Sequence, residues 1–234
     1  MTDTLNIDSS VSNKSSRWDS IGTKTFLHEM AHAFGFEHPE TYRPAEPTKP
    51  PFLDKNFDTG LLTVMSYNDA YIGTYGPQTY MPLDIAGLRA IYGDAVNQLP
   101  KTYVLSADNK SLLVSNDHIY LNAFAPNSIF DPSNNTTIDY SSLNNNYGLF
   151  ADLKYGYIYV KQPQDINFQE YDVFQNGIYT EPYNKITASA NSASDGVYNL
   201  SIANGTIISN FIGSQGDDVI FAPTNSIKID GGLG

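Results

Sequence analysis

Cysteine is absent from all 234 residues, so no disulfide holds this fold and no thiolate binds a metal in it. Basic residues are scarce as well. Thirteen Lys and Arg against twenty-five Asp and Glu leave a formal net charge of −12. That balance repels a phosphate backbone, so neither nucleic acid nor an anionic membrane is an expected partner. No apolar run is long enough to span a bilayer, and no membrane insertion is expected. The opening "MTDTLNIDSSVSNKSS" lacks the apolar segment of a secretory leader. Histidine is also rare, yet three of the four fall in one stretch, "HEMAHAFGFEH", His28 to His38.

With 41% hydrophobic residues the chain can bury one good core or two small ones. Residues 1–95 carry the only strong helix patterns. From Thr23 to about Phe34, the residues Phe26, Met30 and Ala33 make one apolar stripe, and Gly35 is placed to end the helix through a left-handed turn. A second helix starts at Pro82, sets Ile85, Leu88, Ile91 and Tyr92 on one side, and stops at Gly93. Pro39, Pro44, Pro47, Pro50 and Pro51 make residues 39–60 a surface loop. Residues 96–234 read as β-rich. "KTYVLSA", "HIYLNAF", "TTIDYSS", "YGYIYVK" and "GVYNLSI" alternate and are separated by Asn, Gly, Ser and Asp. In "YGYIYVK", Ile158 and Val160 face one way while Tyr157, Tyr159 and Lys161 face the other. The fold class is α+β.

Residues four apart on a helix sit on one face about 6 Å apart along the axis, so His28 and His32 can point at a single ion. Gly35 lets the chain reverse, and His38 completes a tripod of imidazoles. Three neutral histidines with one position left for water make a catalytic zinc site, whereas structural sites fill all four places with protein. Glu29 stands beside these ligands as the general base that takes a proton from the attacking water. The chemistry assembled is amide hydrolysis. The fourth histidine, His118, stands alone and reads as an ordinary strand residue.

The tail holds a repeat. "GSQGDDVIF" starts at Gly213 and fits the nonapeptide G-G-x-G-x-D-x-U-x, except that Ser214 replaces the second glycine. "GGLG" restarts the pattern at Gly231, after a degenerate copy that keeps Ile229 at the inward position. Such repeats coil as a parallel β-roll, here expected at about 211–234. Calcium is expected to be held by the turns containing Gly213, Gly216, Asp218, Gly231, Gly232 and Gly234.

The long histidine motif, followed by Met65 in "TVMSYND", resembles the metzincin metalloproteases. Pro39 after the third histidine, and Tyr67 two places past the methionine, resemble the serralysin branch. "MPLDIAGLRAIYG" is similar to the helix that closes the serralysin catalytic domain. The resemblance implies a partial metzincin catalytic domain over residues 1–95, with two helices and a methionine turn, followed by a β-rich domain and the start of the roll. It implies a zinc endopeptidase acting on protein or peptide substrates, exported to the extracellular space without an N-terminal signal. Tyr67 becomes a further zinc ligand and oxyanion stabiliser, and Met65 an apolar floor under the metal. In that family a multi-stranded sheet precedes the zinc helix, whereas 27 residues precede His28. The chain is therefore expected to be a fragment or a truncated product in which the Phe26 stripe lacks its usual cover. A non-catalytic calcium-binding roll, or an inactive protease fragment that retains a zinc site, is the alternative.

Overall fold

A computed structural model describes residues 21–42, 51–55, 57–68, 76–95, 99–107, 111–115, 119–123, 125–161, 174–175, 178–179 and 199–234. The expected strand histidine, His118, lies outside them. The fold is mixed α+β, with two helices followed by β-strands. Helix α1 spans Ile21–Ala33. It ends because Gly35 takes φ of 91° and lets Phe36 N–H return to the Ala31 carbonyl at 3.0 Å. Helix α2 spans Pro82–Tyr92 and is stopped by Gly93 at φ of 85°.

One sheet of six strands has the order β13 (Lys228–Asp230), β11 (Ile208–Ile212), β5 (Thr136–Asp139), β1 (Thr102–Leu105), β2 (Ser111–Val114), β3 (Ile119–Asn122). A second, of five strands, has the order β12 (Val219–Phe221), β6 (Gly148–Asp152), β7 (Tyr157–Lys161), β10 (Asn199–Ile202), β4 (Asn127–Ile129). Strands β8 (Phe174–Gln175) and β9 (Ile178–Tyr179) pair separately. The two larger sheets share one core: Tyr103, Leu105, Ile138 and Phe211 from the first meet Leu149, Ala151, Ile158 and Val160 from the second. Each expected strand segment contains one of these strands. The alternation expected of β7 holds on one face, where Ile158 and Val160 are buried. On the other face Tyr157 is buried too, because β7 is an interior strand between β6 and β10.

The tail strands stack in parallel. Strand β11 pairs with β13 in the register Phe211↔Ile229, and on its other side with β5 in the register Phe211↔Ile138. Strand β12 lies parallel to β6 through Ile220↔Ala151. In-register neighbours present side chains to the same face, so Ile229 lies beside the fully buried Phe211. It remains 38% exposed, since β13 is the edge strand rather than an inner one.

The helices meet the rest differently from their apolar stripes. Phe26 is 58% exposed, and Met30 and Ala33 are also open. The face of α1 that turns inward carries Lys24, His28 and Ala31. On α2 the fully buried residue is Asp84, while Ile91 and Tyr92 at the far end of the stripe are exposed. A small second core joins Ala31, Val64, Met65 and Met81 with Leu27, Phe36 and Tyr80. Both helices are therefore anchored by polar residues reaching the segment around Met65. The helical part is tied to the sheets by Thr79 Oγ1, which accepts from Ser128 N–H at 2.6 Å. Arg89 adds a second tie: its guanidinium lies 4.9 Å from the Phe130 ring centroid and donates to the Asn204 carbonyl.

Candidate metal centre

Lys24, His28 and Ala31 follow the i, i+4, i+7 spacing of one helical face. That face packs on residues 63–68. Lys24 Nζ donates to the Ser66 carbonyl at 2.6 Å, and His28 Nδ1 pairs with the Val64 carbonyl at 2.9 Å. A carbonyl only accepts, so Nδ1 of His28 carries the proton and Nε2 presents its lone pair. His32 is fixed alike, with Nδ1 at 2.8 Å from the Phe36 carbonyl. The turn at Gly35 supplies that carbonyl and delivers His38, whose Nε2 lies 3.1 Å from Nε2 of His28. The ligand atoms of His28, His32 and His38 all fall within 4.8 Å of one another.

This arrangement fits zinc. Tetrahedral ligands at about 2.05 Å from zinc stand about 3.3 Å apart, close to the His28–His38 separation. The nitrogens not aimed at the centre on His28 and His32 are both held by backbone carbonyls, the orienting contact that metal-bound histidines characteristically make. Burial holds His28 below the usual histidine range, and His32 and His38 push the same way, against the Val64 carbonyl and Glu29. Neutral imidazole, the ligating form, is thereby favoured. Glu29 is exposed on α1, and its charge is felt at His28.

The methionine segment is fastened from α2. Asp84, 1% exposed, accepts from Thr63 Oγ1 at 2.5 Å, Val64 N–H at 2.9 Å and Met81 N–H at 2.9 Å. Burial pushes its carboxyl above the usual range, while these three donors and Lys24 pull the other way. Met65 is buried against Ala31, Val64 and Met81. Tyr67 is 43% exposed, and its ring stacks on His28 at 5.3 Å and lies 4.8 Å from His38. Beyond it stands Tyr42, 4.8 Å from Tyr67 between ring centroids. Burial and a hydrogen bond to Asp58 raise the Tyr42 hydroxyl well above the ordinary tyrosine range, which favours the protonated form that donates to Asp58.

Sequence reasoning missed four of these residues. Lys24 had a signal, because it lies four residues before His28 and so on the same face. Asp84 had one too, as the first-turn carboxylate three residues after Met81. Tyr42 and Asp58 had none, since a proline-rich loop separates them and its closure is not written in any spacing.

In the tail, Ser214 N–H and Oγ donate to Asp218 at 2.7 and 2.5 Å, and Leu149 N–H donates to it at 2.7 Å. The turns at 213–216 and 231–234 lie on each other so closely that a Cβ on Gly232 would sit 1.9 Å from the Ser214 oxygen. One on Gly234 would sit 2.0 Å from the Gly216 oxygen. At the matching repeat positions Gly232 has φ of 84° while Ser214 keeps a negative φ. The backbones of the two turns therefore differ where serine replaces glycine.

No protein-family model matches the chain. Over 226 aligned residues it is 26% identical to a serralysin of Photorhabdus laumondii, an alignment covering 90% of this chain and 39% of the relative. A serralysin of Photorhabdus luminescens is 25% identical, with 38% of its length covered. Serralysin G of Dickeya chrysanthemi is 24% identical, with 91% of this chain and 38% of the relative covered. The chain is thus distantly similar to these serralysins. It spans less than two-fifths of the length of these relatives. Among the described residues no helix is long and apolar enough to cross a membrane.

Proposed function

We propose that this chain carries the zinc-binding part of a serralysin-type metalloendopeptidase, a secreted hydrolase of peptide bonds in protein substrates. Residues 1–95 act as a partial metzincin catalytic domain, and 96–234 as the β-rich domain that starts a calcium-binding roll. The observation that carries this reading is the trio His28, His32 and His38, with ligand atoms within 4.8 Å. The orienting carbonyls of Val64 and Phe36 support it.

Zinc, when bound there, polarises the scissile carbonyl and acidifies a water. Glu29 then takes the proton from the attacking water and returns it to the leaving amine, which conserves protons across the cleavage. Tyr67, open to solvent beside His28 and His38, donates a hydrogen bond from its phenol to the developing oxyanion and keeps its proton. Met65 closes the apolar floor. In the tail, the carbonyl-rich turns at Gly213, Gly216, Gly231, Gly232 and Gly234 hold calcium with Asp218. The 18-residue parallel stacking of β11 on β13 supports a roll there.

The test is direct. Purified protein should bind about one zinc and cleave a denatured protein, His28→Ala should lose the zinc, and Glu29→Gln should keep it while cleavage disappears. Zinc without cleavage in the wild type sinks the enzyme and leaves the site. A folded chain with no zinc sinks both. A non-catalytic calcium-binding roll is the second reading, supported by the parallel register of β11 on β13. It predicts a small rise in melting temperature with calcium and no turnover.

A further inference from the structure

Tyr42 stands outside the motif that defines the metal centre, yet its ring lies against both His38 and Tyr67. Its ring lies 4.8 Å from Tyr67 and 5.8 Å from His38, continuing the aromatic series that runs from His28 through Tyr67. Its hydroxyl donates to Asp58 Oδ1, and the Ser66 side chain and the Tyr67 backbone hydrogen-bond the same hydroxyl. Asp58 is 5% exposed, and its Oδ2 accepts from Asn68 Nδ2 at 2.7 Å while its carbonyl accepts from the same amide at 3.0 Å. The residues before and after Tyr67, and its own backbone, are thus all tied to one tyrosine–aspartate pair.

An exposed tyrosine on a turn samples several side-chain orientations, and losing that freedom costs free energy. A second ring against its face and hydrogen bonds on both flanks remove most of the cost before any ligand arrives. We propose that Tyr42 is a positioning residue: with Asp58 it locks residues 66–68 so that the Tyr67 phenol is held at the metal bound by His28, His32 and His38. The proposal rests on the zinc reading above. Asp58 performs this role without touching metal or substrate, and so does Asn68.

Copper(II) in place of zinc reports the Tyr67 phenol directly, because a phenolate on copper(II) gives a charge-transfer absorption that imidazole ligands do not. Wild-type protein loaded with copper should show the band, and Tyr67→Phe should abolish it. Tyr42→Phe keeps the ring and removes the hydroxyl. It should lower the ratio of metal-bound to free phenol about fivefold, the net worth of roughly one hydrogen bond, and so weaken the band, with copper affinity unchanged in chelator competition. Asn68→Ala loosens Asp58 from its other side and leaves Tyr42 whole. It should act in the same direction, and it serves if Tyr42→Phe does not fold. Tyr155→Phe, far from these contacts, should leave the band intact. An undiminished band in both Tyr42→Phe and Asn68→Ala overturns the proposal alone. A wild-type chain that takes no copper at the histidines, or shows no band that Tyr67→Phe removes, overturns the zinc reading and the proposal with it.

Discussion

Asp84 illustrates how much of the centre depends on a residue that binds nothing. Its carboxylate accepts from Val64 N–H, Met81 N–H and the Thr63 hydroxyl. Asp84→Ala strands buried donors, and should destabilise the helical part by about 3 kcal/mol. Chemical denaturation followed by a signal from that part measures it, and a loss indistinguishable from zero would contradict the assignment. Spacing made His28, His32, Gly35 and His38 legible, because a helix and a glycine turn translate intervals into directions. Lys24 and Asp84 were legible only as members of helices. Their burial was not, since a charged residue reads as exposed until its partner is known, and Ser66 and Val64 belong to a segment without periodicity.

At the scale of elements, both helices and the strands β1, β3, β5, β7 and β10 were readable, whereas which face of α1 turns inward was not. The apolar stripe of Phe26, Met30 and Ala33 pointed one way, and hydrogen bonds of Lys24 and His28 turn the helix the other way. Pairings between distant strands were equally hidden, since nothing in "TTIDYSS" names its partner. The junction ahead of β5 makes a pH prediction. Asp131 is fully buried, which by itself raises its carboxyl. Donors from Ser133, Lys101 and Thr136 outweigh this and hold it below the usual range. A lowered native pKa adds stability that is complete above the unfolded value of about 3.9 and lost as pH falls through the native one. Acid titration of unfolding should show that loss in the wild type, and Asp131→Asn should flatten it. The tail turn makes another. Ser214 already satisfies Asp218, so calcium should raise the melting temperature little. Ser214→Gly removes the competing hydroxyl and permits the φ that Gly232 adopts, and should enlarge the calcium shift. Equal shifts in the two proteins would argue against that competition.

At the scale of the molecule, polar contacts join the two cores among the described residues. Arg89 is prominent among them, packing on Phe130 and donating to the Asn204 carbonyl. Arg89→Ala should cost about 1–2 kcal/mol of coupling, enough for calorimetry to resolve two melting steps where the wild type shows one. A single unshifted step would mean that the halves are coupled elsewhere. The two halves also differ in how far along the chain their contacts reach. His28 meets His38 across 10 residues, and Lys24 meets Ser66 across 42. Asn210 reaches Thr137 across 73 residues, because β11 lies between β5 and β13. On a ribosome adding about 5–20 residues per second, roughly ten seconds separate the emergence of Asp84 from that of Ile212. During that interval the histidines already have every contact that orients them, while the edge of β5 awaits its neighbour. The candidate metal centre can therefore be assembled before the sheet is complete, while the open β5 edge is exposed to pairing with other strands.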